Sequence, residues 1–338
     1  MRPRRSLTTV LAVAIALCGA LPASGPAQTA MATSPPQSFG PAPATAFDYR
    51  LVPQRIAEGV YVLVGRLEDF SPQNGGNIVN TGFIVGTSGV IVIDTGPSKR
   101  YGEQLRAAIA NVTPLPVVLT INTHHHPDHF LGNQAFPPET LSALPEVIAG
   151  IAAEGNAFNN NMYRLNGNWM QDTEVVIPPR HLAPGRLSVA GRDIELLALG
   201  GHTAADLVLI DHATGTVFAS DLVFNGRAPT TPHAELPRWA NALRTLVRLP
   251  ARRWVPGHGA VSSDGTALEA TLDYLDWLGA TMREMAASGA DMAEALGRPL
   301  PARFAQLPLA EREYRRSVIH LFPAAERAVL APAAGARP

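Results

Sequence analysis

Apolar and polar positions fall into short β-type runs separated by glycine-rich turns, with a few longer helical stretches between them. Residues 60–64 form a compact apolar run that predicts a strand. The stretch NIVNTGFIVGTSGVIVIDTG then carries two runs, 78–85 and 90–93, split by glycines at 86 and 89, which is a hairpin signal. Positions 98–111 have helical spacing, with Ser98 placed as N-cap. PVVLTIN (116–122) is continuously apolar and predicts a strand buried on both faces.

The second half repeats this style. Runs at 187–189, 194–198, 207–210 and 217–219 read as short strands parted by glycine or polar turns. Residues 236–249 are helical in spacing, RRWVPGHG is a strand entering a glycine loop, and 267–287 is a long amphipathic helix. FNNNMYRLNGN (158–168) fits either a surface helix or a loop. Strands and helices mixed in both halves predict two β-sheets with helices on their outer sides.

The N-terminus differs in kind. Arg2, Arg4 and Arg5 precede an apolar stretch of about 14 residues and then small residues up to Ala32, the layout of a secretory signal. The apolar stretch is short for a bilayer span. Residues 1–32 are therefore expected to be an export signal, cleaved between Ala23 and Ala32, with the mature protein periplasmic or secreted and without stable membrane insertion. Arg4-Arg5-Ser6-Leu7 also partly matches a twin-arginine signal. The Pro/Ala/Ser-rich segment 33–47 reads as a disordered lead-in, and 48–325 as one folded unit.

Composition narrows the chemistry. The 338 residues are 46% hydrophobic, with a net charge of −1, so neither nucleic acid nor a membrane surface is indicated as a partner. Removing 1–32 deletes three arginines and no acid, which takes the charge to −4. It also deletes Cys18, the only cysteine, so the mature chain would have no disulfide, thiolate ligand or cysteine nucleophile.

NTHHHPDHF (122–130) places four of the chain's ten histidines within six positions. His124 and His126 alternate at a strand end and project to one side, so they can share a cation. Asp128 and His129 are adjacent, and a turn after Pro127 would aim them at a second cation. Imidazole and carboxylate together suit zinc and its neighbours. His125 faces the other way and is expected to support or lie outside the site. Further ligands must come from elsewhere in the chain. His202 in LGGHTAAD, Asp221 in VFASDLVF and His258 in VPGHGAV each follow a predicted strand beside a small residue. Singly, these three also fit a turn residue, a helix cap and a loop histidine.

On VIVIDTG (90–96), THHHPDH (123–129), GGHTAAD (200–206), FASDLVF (218–224) and PGHG (256–259), the chain resembles the metallo-β-lactamase-fold hydrolase superfamily. The resemblance implies an α+β fold, a four-layer αββα sandwich with a dinuclear metal centre at one sheet edge. It places His124, His126 and His202 on one metal and Asp128, His129 and His258 on the other. Asp221 would bridge them, and Asp94 would orient a ligand histidine. Two zinc ions per chain are expected, with iron possible. Such a pair acidifies bound water toward a pKa of about 7 and polarises a carbonyl, with Asp128 as the proton-handling catalytic group.

Departures from relatives narrow the branch. Asp221 stands where the cysteine-liganded β-lactamases carry a thiolate. His126 stands where the flavin-linked di-iron proteins carry a glutamate. The exported chain looks most similar to periplasmic zinc metallohydrolases associated with quinoprotein and sulfur-oxidation systems. A zinc hydrolase of a small-molecule ester, thioester, lactone or lactam is expected. A persulfide dioxygenase-like enzyme with one iron at His124, His126 and Asp221 is the alternative, as is a non-catalytic metal-binding accessory protein. SPQNGGN (71–77) is expected to overhang the metals. Asn225, Arg227 and His233 are expected near the mouth of the site, with Arg227 either free to bind a substrate carboxylate or phosphate or standing as a solvated loop arginine.

Overall fold

The computed structural model describes residues 47–330; the export signal read at 1–32 and nearly all of the lead-in read at 33–47 lie outside them. Two sheets face each other. The first runs in sequence order through β1 (Gln54–Ala57), β2 (Val60–Leu63), β3 (Thr81–Val85), β4 (Val90–Ile93), β5 (Val117–Ile121), β6 (Leu141–Ala143) and β7 (Arg180–His181). Its first four strands are antiparallel and the pairings from β4 to β7 are parallel. The second sheet contains β8 (Gly185–Val189), β9 (Arg192–Leu199), β10 (Asp206–Asp211) and β11 (Thr216–Asn225) in an antiparallel meander, with β12 (Arg253–Gly259) parallel to β11.

The continuous apolar runs follow from burial on both faces. Ile91 and Ile93 of β4 meet Leu207 and Leu209 of β10 in the central core, while Val90 and Val92 point outward. There they pack against Tyr101, Leu105, Ala108 and Ile109 of α1 (Lys99–Val112). Val208 and Ile210 likewise point outward from β10. Each fully buried side chain of this kind contributes about 1.5–3 kcal/mol. The short α2 (Pro127–Phe130) follows β5, and α3 (Pro145–Asn166) inserts Val147, Ile151 and Met162 into the central core. On the outer side of the second sheet lie α4 (Leu236–Leu246), α5 (Thr266–Ala287), α6 (Met292–Gly297), α7 (Ala302–Ala305) and α8 (Ala310–Leu330). The result is the expected αββα sandwich.

Three differences from the sequence reading bear on the site. FNNNMYRLNGN is the C-terminal part of α3 running into a 3-10 turn at Gly167–Met170. The run at 217–219 continues to Asn225, because Leu222, Val223 and Phe224 resume the buried strand after an irregularity beside Ser220. Helix α8 had a legible stripe, Tyr314, Val318 and Phe322 at four-residue spacing, which buries against α5 and α6.

Candidate metal centre

β4 and β5 are parallel neighbours, so Asp94 and the 122–130 loop leave the same sheet edge. The backbone amide of Leu207 donates to the carbonyl of Thr123 (2.8 Å), joining that edge to the second sheet. His126 is extended and ends the loop; Pro127 opens α2, placing Asp128 and His129 in its single turn. His202 comes from the loop between β9 and β10. Asp221 and His258 lie inside β11 and β12, not just beyond them as the sequence suggested.

All seven predicted side chains converge as two abutting groups. In the first, Nδ1 of His126 is 3.1 Å from Nε2 of His124 and 2.9 Å from Nε2 of His202. Asp221 Oδ2 closes this group, 3.4 Å from His202 Nε2 and 4.0 Å from His124 Nε2. In the second, Asp128 Oδ2 is 3.8 Å from His129 Nε2 and 3.6 Å from His258 Nε2. Asp221 reaches here too, with Oδ1 3.2 Å from His129 Nε2 and Oδ2 3.2 Å from His258 Nε2.

The outer nitrogens determine which tautomer each ring adopts. Asp94 Oδ2 accepts from Nδ1 of His129 (2.8 Å) and from the hydroxyl of Thr123 (2.8 Å). That hydroxyl in turn accepts from Nδ1 of His124 (3.1 Å). Asp94 thus orients two rings, one directly and one through Thr123. Nδ1 of His258 donates to the carbonyl of Ile78 (2.7 Å). Backbone strain is concentrated here as well: Asp94 and Ser220 have φ of 59° and 48°. A Cβ on Gly257 would lie 1.7 Å from Asp221 Oδ1, so glycine there lets β12 bring His258 against the bridge position.

Charge suits cations. Burial lowers His124 and His126 well below the ordinary imidazole value and His202 to about 3, leaving neutral rings with free lone pairs. Burial opposes charge on His129, yet Asp221, Asp94 and Asp128 outweigh it and hold that ring well above its ordinary value. Burial also opposes charge on Asp221, but His258 and His129 hold it well below the usual carboxylate range. A tetrahedral zinc with bonds of about 2.0–2.1 Å keeps its donors about 3.3 Å apart, close to the spacing of the three nitrogens around His126. His129 Nε2 and Asp221 Oδ1 are buried and, 3.2 Å apart, have no other hydrogen-bond partner among the described residues. Both groups are able to bind metal ions, and His126 also stands in a third, more exposed group of possible donors with His125 and His233.

The family model described as the Metallo-beta-lactamase superfamily matches residues 74–258. The chain belongs to the metallo-β-lactamase superfamily. Curated relatives include a hydroxyacylglutathione hydrolase of Cyanothece sp. (strain PCC 7425), 30% identical over 47% of this chain and 54% of that protein. The acyl-coenzyme A thioesterase MBLAC2 of Gallus gallus is 27% identical over 54% of this chain and 73% of its own length. An atrochrysone carboxyl ACP thioesterase of Aspergillus fumigatus is 25% identical over 53% of this chain and 50% of its own. The chain thus spans about half the length of the first of these relatives. Among solved structures, a metallo-beta-lactamase from Pontibacter korlensis superposes with a TM-score of 0.53 at 23% identity, covering 67% of this chain and 99% of that one. VMB-1 superposes at 0.54 and 18% identity, covering 69% and 99%. At these identities the superpositions speak for the fold.

Over the donor groups of this superfamily member lies a cavity of about 270 Å³. His126, Asp128, Asp221 and His258 form its floor, Phe70, Phe158, Leu165 and Pro232 give apolar walls, and Arg316 and His320 reach it from α8. Sequence reasoning missed these four apolar walls and both α8 side chains. A larger cavity of about 500 Å³, lined by residues including Arg186, Glu195 and His212, lies at the opposite end of the second sheet and has no comparable donor set.

Several expectations for the mouth are corrected. Arg227 lines the cavity as expected but is not free: it is buried and pairs with the equally buried Glu313 of α8 (3.1 Å), fastening α8 over the cavity. Asn225 donates to the carbonyl of Ala260 (2.8 Å) and shapes the loop after β12. SPQNGGN does not overhang the centre. Asn74, Gly75 and Gly76 are buried, with Gly75 against Trp169, and only the flanking Asp69, Phe70 and Ile78 line the cavity. His233 does stand at the mouth. His125 lies outside both principal groups, facing Glu154 at 3.4 Å.

Proposed function

We propose that this chain is an exported dinuclear zinc hydrolase whose preferred substrate is a thioester of a small anionic molecule. The carrying observation is that two complete donor groups share Asp221 at the floor of one cavity. Bound zinc would supply a water acidified to deprotonate near neutral pH and a Lewis acid for the substrate carbonyl. His124, His126 and His202 would hold one ion, Asp128, His129 and His258 the other, with Asp221 shared. A single-iron oxygenase has no use for the second group.

The protein's own residues would do the rest. Asp128 would accept the proton of the attacking water at Oδ2 or return one to the leaving group. The apolar walls would receive an acyl arm and exclude water. On α8, Arg316 reaches the cavity between Asp69 and Glu313, carboxylates it shares with Arg312 and Arg227, and offers its guanidinium to an entering anion. That favours an anionic substrate. Two of the relatives are named thioesterases and the third a hydroxyacylglutathione hydrolase, which supports a thioester over a lactam. A thiol of pKa about 8.5 also leaves readily as an anion, so one carboxylate suffices for proton handling.

The test is metal analysis of protein purified without added metal, followed by hydrolysis assays with anionic and neutral thioesters, a lactone and a β-lactam. Two zinc per chain and fastest turnover of anionic thioesters are expected. One iron per chain, or two zinc with no turnover of any substrate, would overturn the reading. The N-terminal sequence of protein recovered from the periplasm should begin after Ala23; an intact Met1 in the cytoplasmic fraction would refute export.

A further inference from the structure

His126 turns only one of its ring nitrogens toward the donor groups. Nδ1 faces His124 and His202, while Nε2 lies 2.8 Å from Nδ1 of His233. Nε2 of His233 in turn faces Oε2 of Glu154 on α3 at 3.3 Å, and the other carboxylate oxygen faces His125 at 3.4 Å. Only one arrangement of protons leaves Nδ1 of His126 free to bind a cation. The proton sits on Nε2 and is donated to Nδ1 of His233, whose own proton then sits on Nε2 and points to the carboxylate.

We propose that His233 and Glu154 are positioning residues that set the tautomer and ring plane of His126 through a relay of imidazole and carboxylate. The inference rests on the reading of His126 as a metal ligand. The other oriented rings have buried partners: Asp94 for His129, the Ile78 carbonyl for His258 and Thr123 for His124. His126 is held instead from the mouth of the cavity, by side chains that are 33% and 43% exposed. His233 also lines the cavity, so a substrate entering it passes along the relay. In the sequence, His233 lies 107 positions from His126, and no local pattern links either residue to Glu154.

Exposure separates a relay from mere packing. His125 is the more buried ring; it touches Glu154 and packs against both His126 and His233, with ring centroids 5.2 and 5.3 Å away, but the hydrogen bond between those two rings does not pass through it. If the cluster only packed, His125→Ala would do the greater damage. Zinc affinity of the full chain, by competition with a chromophoric chelator, and the visible spectrum of the cobalt(II) form both report on His126. His233→Ala should weaken one zinc equivalent by about 10–100-fold and shift the cobalt spectrum. His233→Asn, whose Oδ1 can accept from His126, should recover most of the loss. Glu154→Gln should weaken the same equivalent by a smaller factor, and His125→Ala, which removes packing but no link of the relay, should change both readouts much less than His233→Ala does. The inference is overturned if His233→Ala and Glu154→Gln bind both equivalents as tightly as the parent, or if His125→Ala matches His233→Ala. A parent chain that takes up no zinc would sink the metal reading itself, and this inference with it.

Discussion

The two donor groups meet at Asp221 but are built on different principles. The first is three neutral imidazoles, kept neutral by burial, and their outer nitrogens are held unevenly. His124 leans on a hydroxyl, His126 on an imidazole, and His202 has no hydrogen-bond partner at Nδ1 among the described residues and rests against the ring of Trp239 at 4.9 Å. The second combines a carboxylate with two rings whose outer nitrogens meet a carboxylate and a backbone carbonyl. In the proposed mechanism the Asp128 carboxylate would both hold a cation and move a proton, whereas the first group would only hold and polarise. Rigid, carboxylate-supported construction thus falls on the side proposed to handle protons. Asp94 serves both groups, touching the second directly and the first only through Thr123.

The largest expected effect comes from removing what the groups share. Asp221→Ala should lower zinc from two per chain to one or none and take hydrolysis to background, a loss of several kcal/mol of transition-state stabilisation. Metal analysis beside a circular dichroism spectrum of the folded variant checks this. Two tightly held zinc ions in that variant would mean that the groups are independent and Asp221 is no bridge.

Asp128→Asn separates the groups. It removes the charge of the second while leaving the first intact, so turnover should fall by about 10²–10⁴-fold with one zinc still tightly held. Turnover close to the parent's would remove Asp128 from the mechanism.

Asp94→Asn should weaken both equivalents by about 10–100-fold, since both groups are oriented from this one carboxylate. Titration against a chelator reads the two affinities separately. Loss confined to one equivalent would show that the Thr123 path carries no orientation.

Much of this arrangement was legible because it is local or sits next to a strand. The 122–130 cluster is contiguous, and the small residues around His202, Asp221 and His258 are a geometric requirement visible in one dimension, as the approach of Gly257 to Asp221 illustrates. The layers were legible because strands buried on both faces must be continuously apolar. The cavity wall was not. Phe158 and Leu165 share a helix face in a polar stretch whose period is masked by asparagines, and they meet Phe70 only through the tertiary fold. Arg227 misled because a loop arginine reads as free until its partner is known, and Glu313 lies 86 positions away. The relay from Glu154 has the same long range.

The smallest change sharpens the comparison most. Thr123→Val keeps the shape of the side chain but removes the hydroxyl that passes the orientation of Asp94 to His124. Asp94 keeps its bonds to His129 and to the Thr123 amide, so the second group should be untouched. Ser220 Oγ, now 2.7 Å from the missing hydroxyl, loses its closest partner and can turn toward Nδ1 of His124, 3.5 Å away, offsetting part of the loss. The first zinc equivalent should therefore weaken by only about tenfold, at the lower end for a ligand's supporting contact. Adding Ser220→Ala should remove the substitute and deepen the loss. If Thr123→Val instead weakened the second equivalent, orientation would pass between the groups by a route other than Asp94, and the division drawn between them would fail.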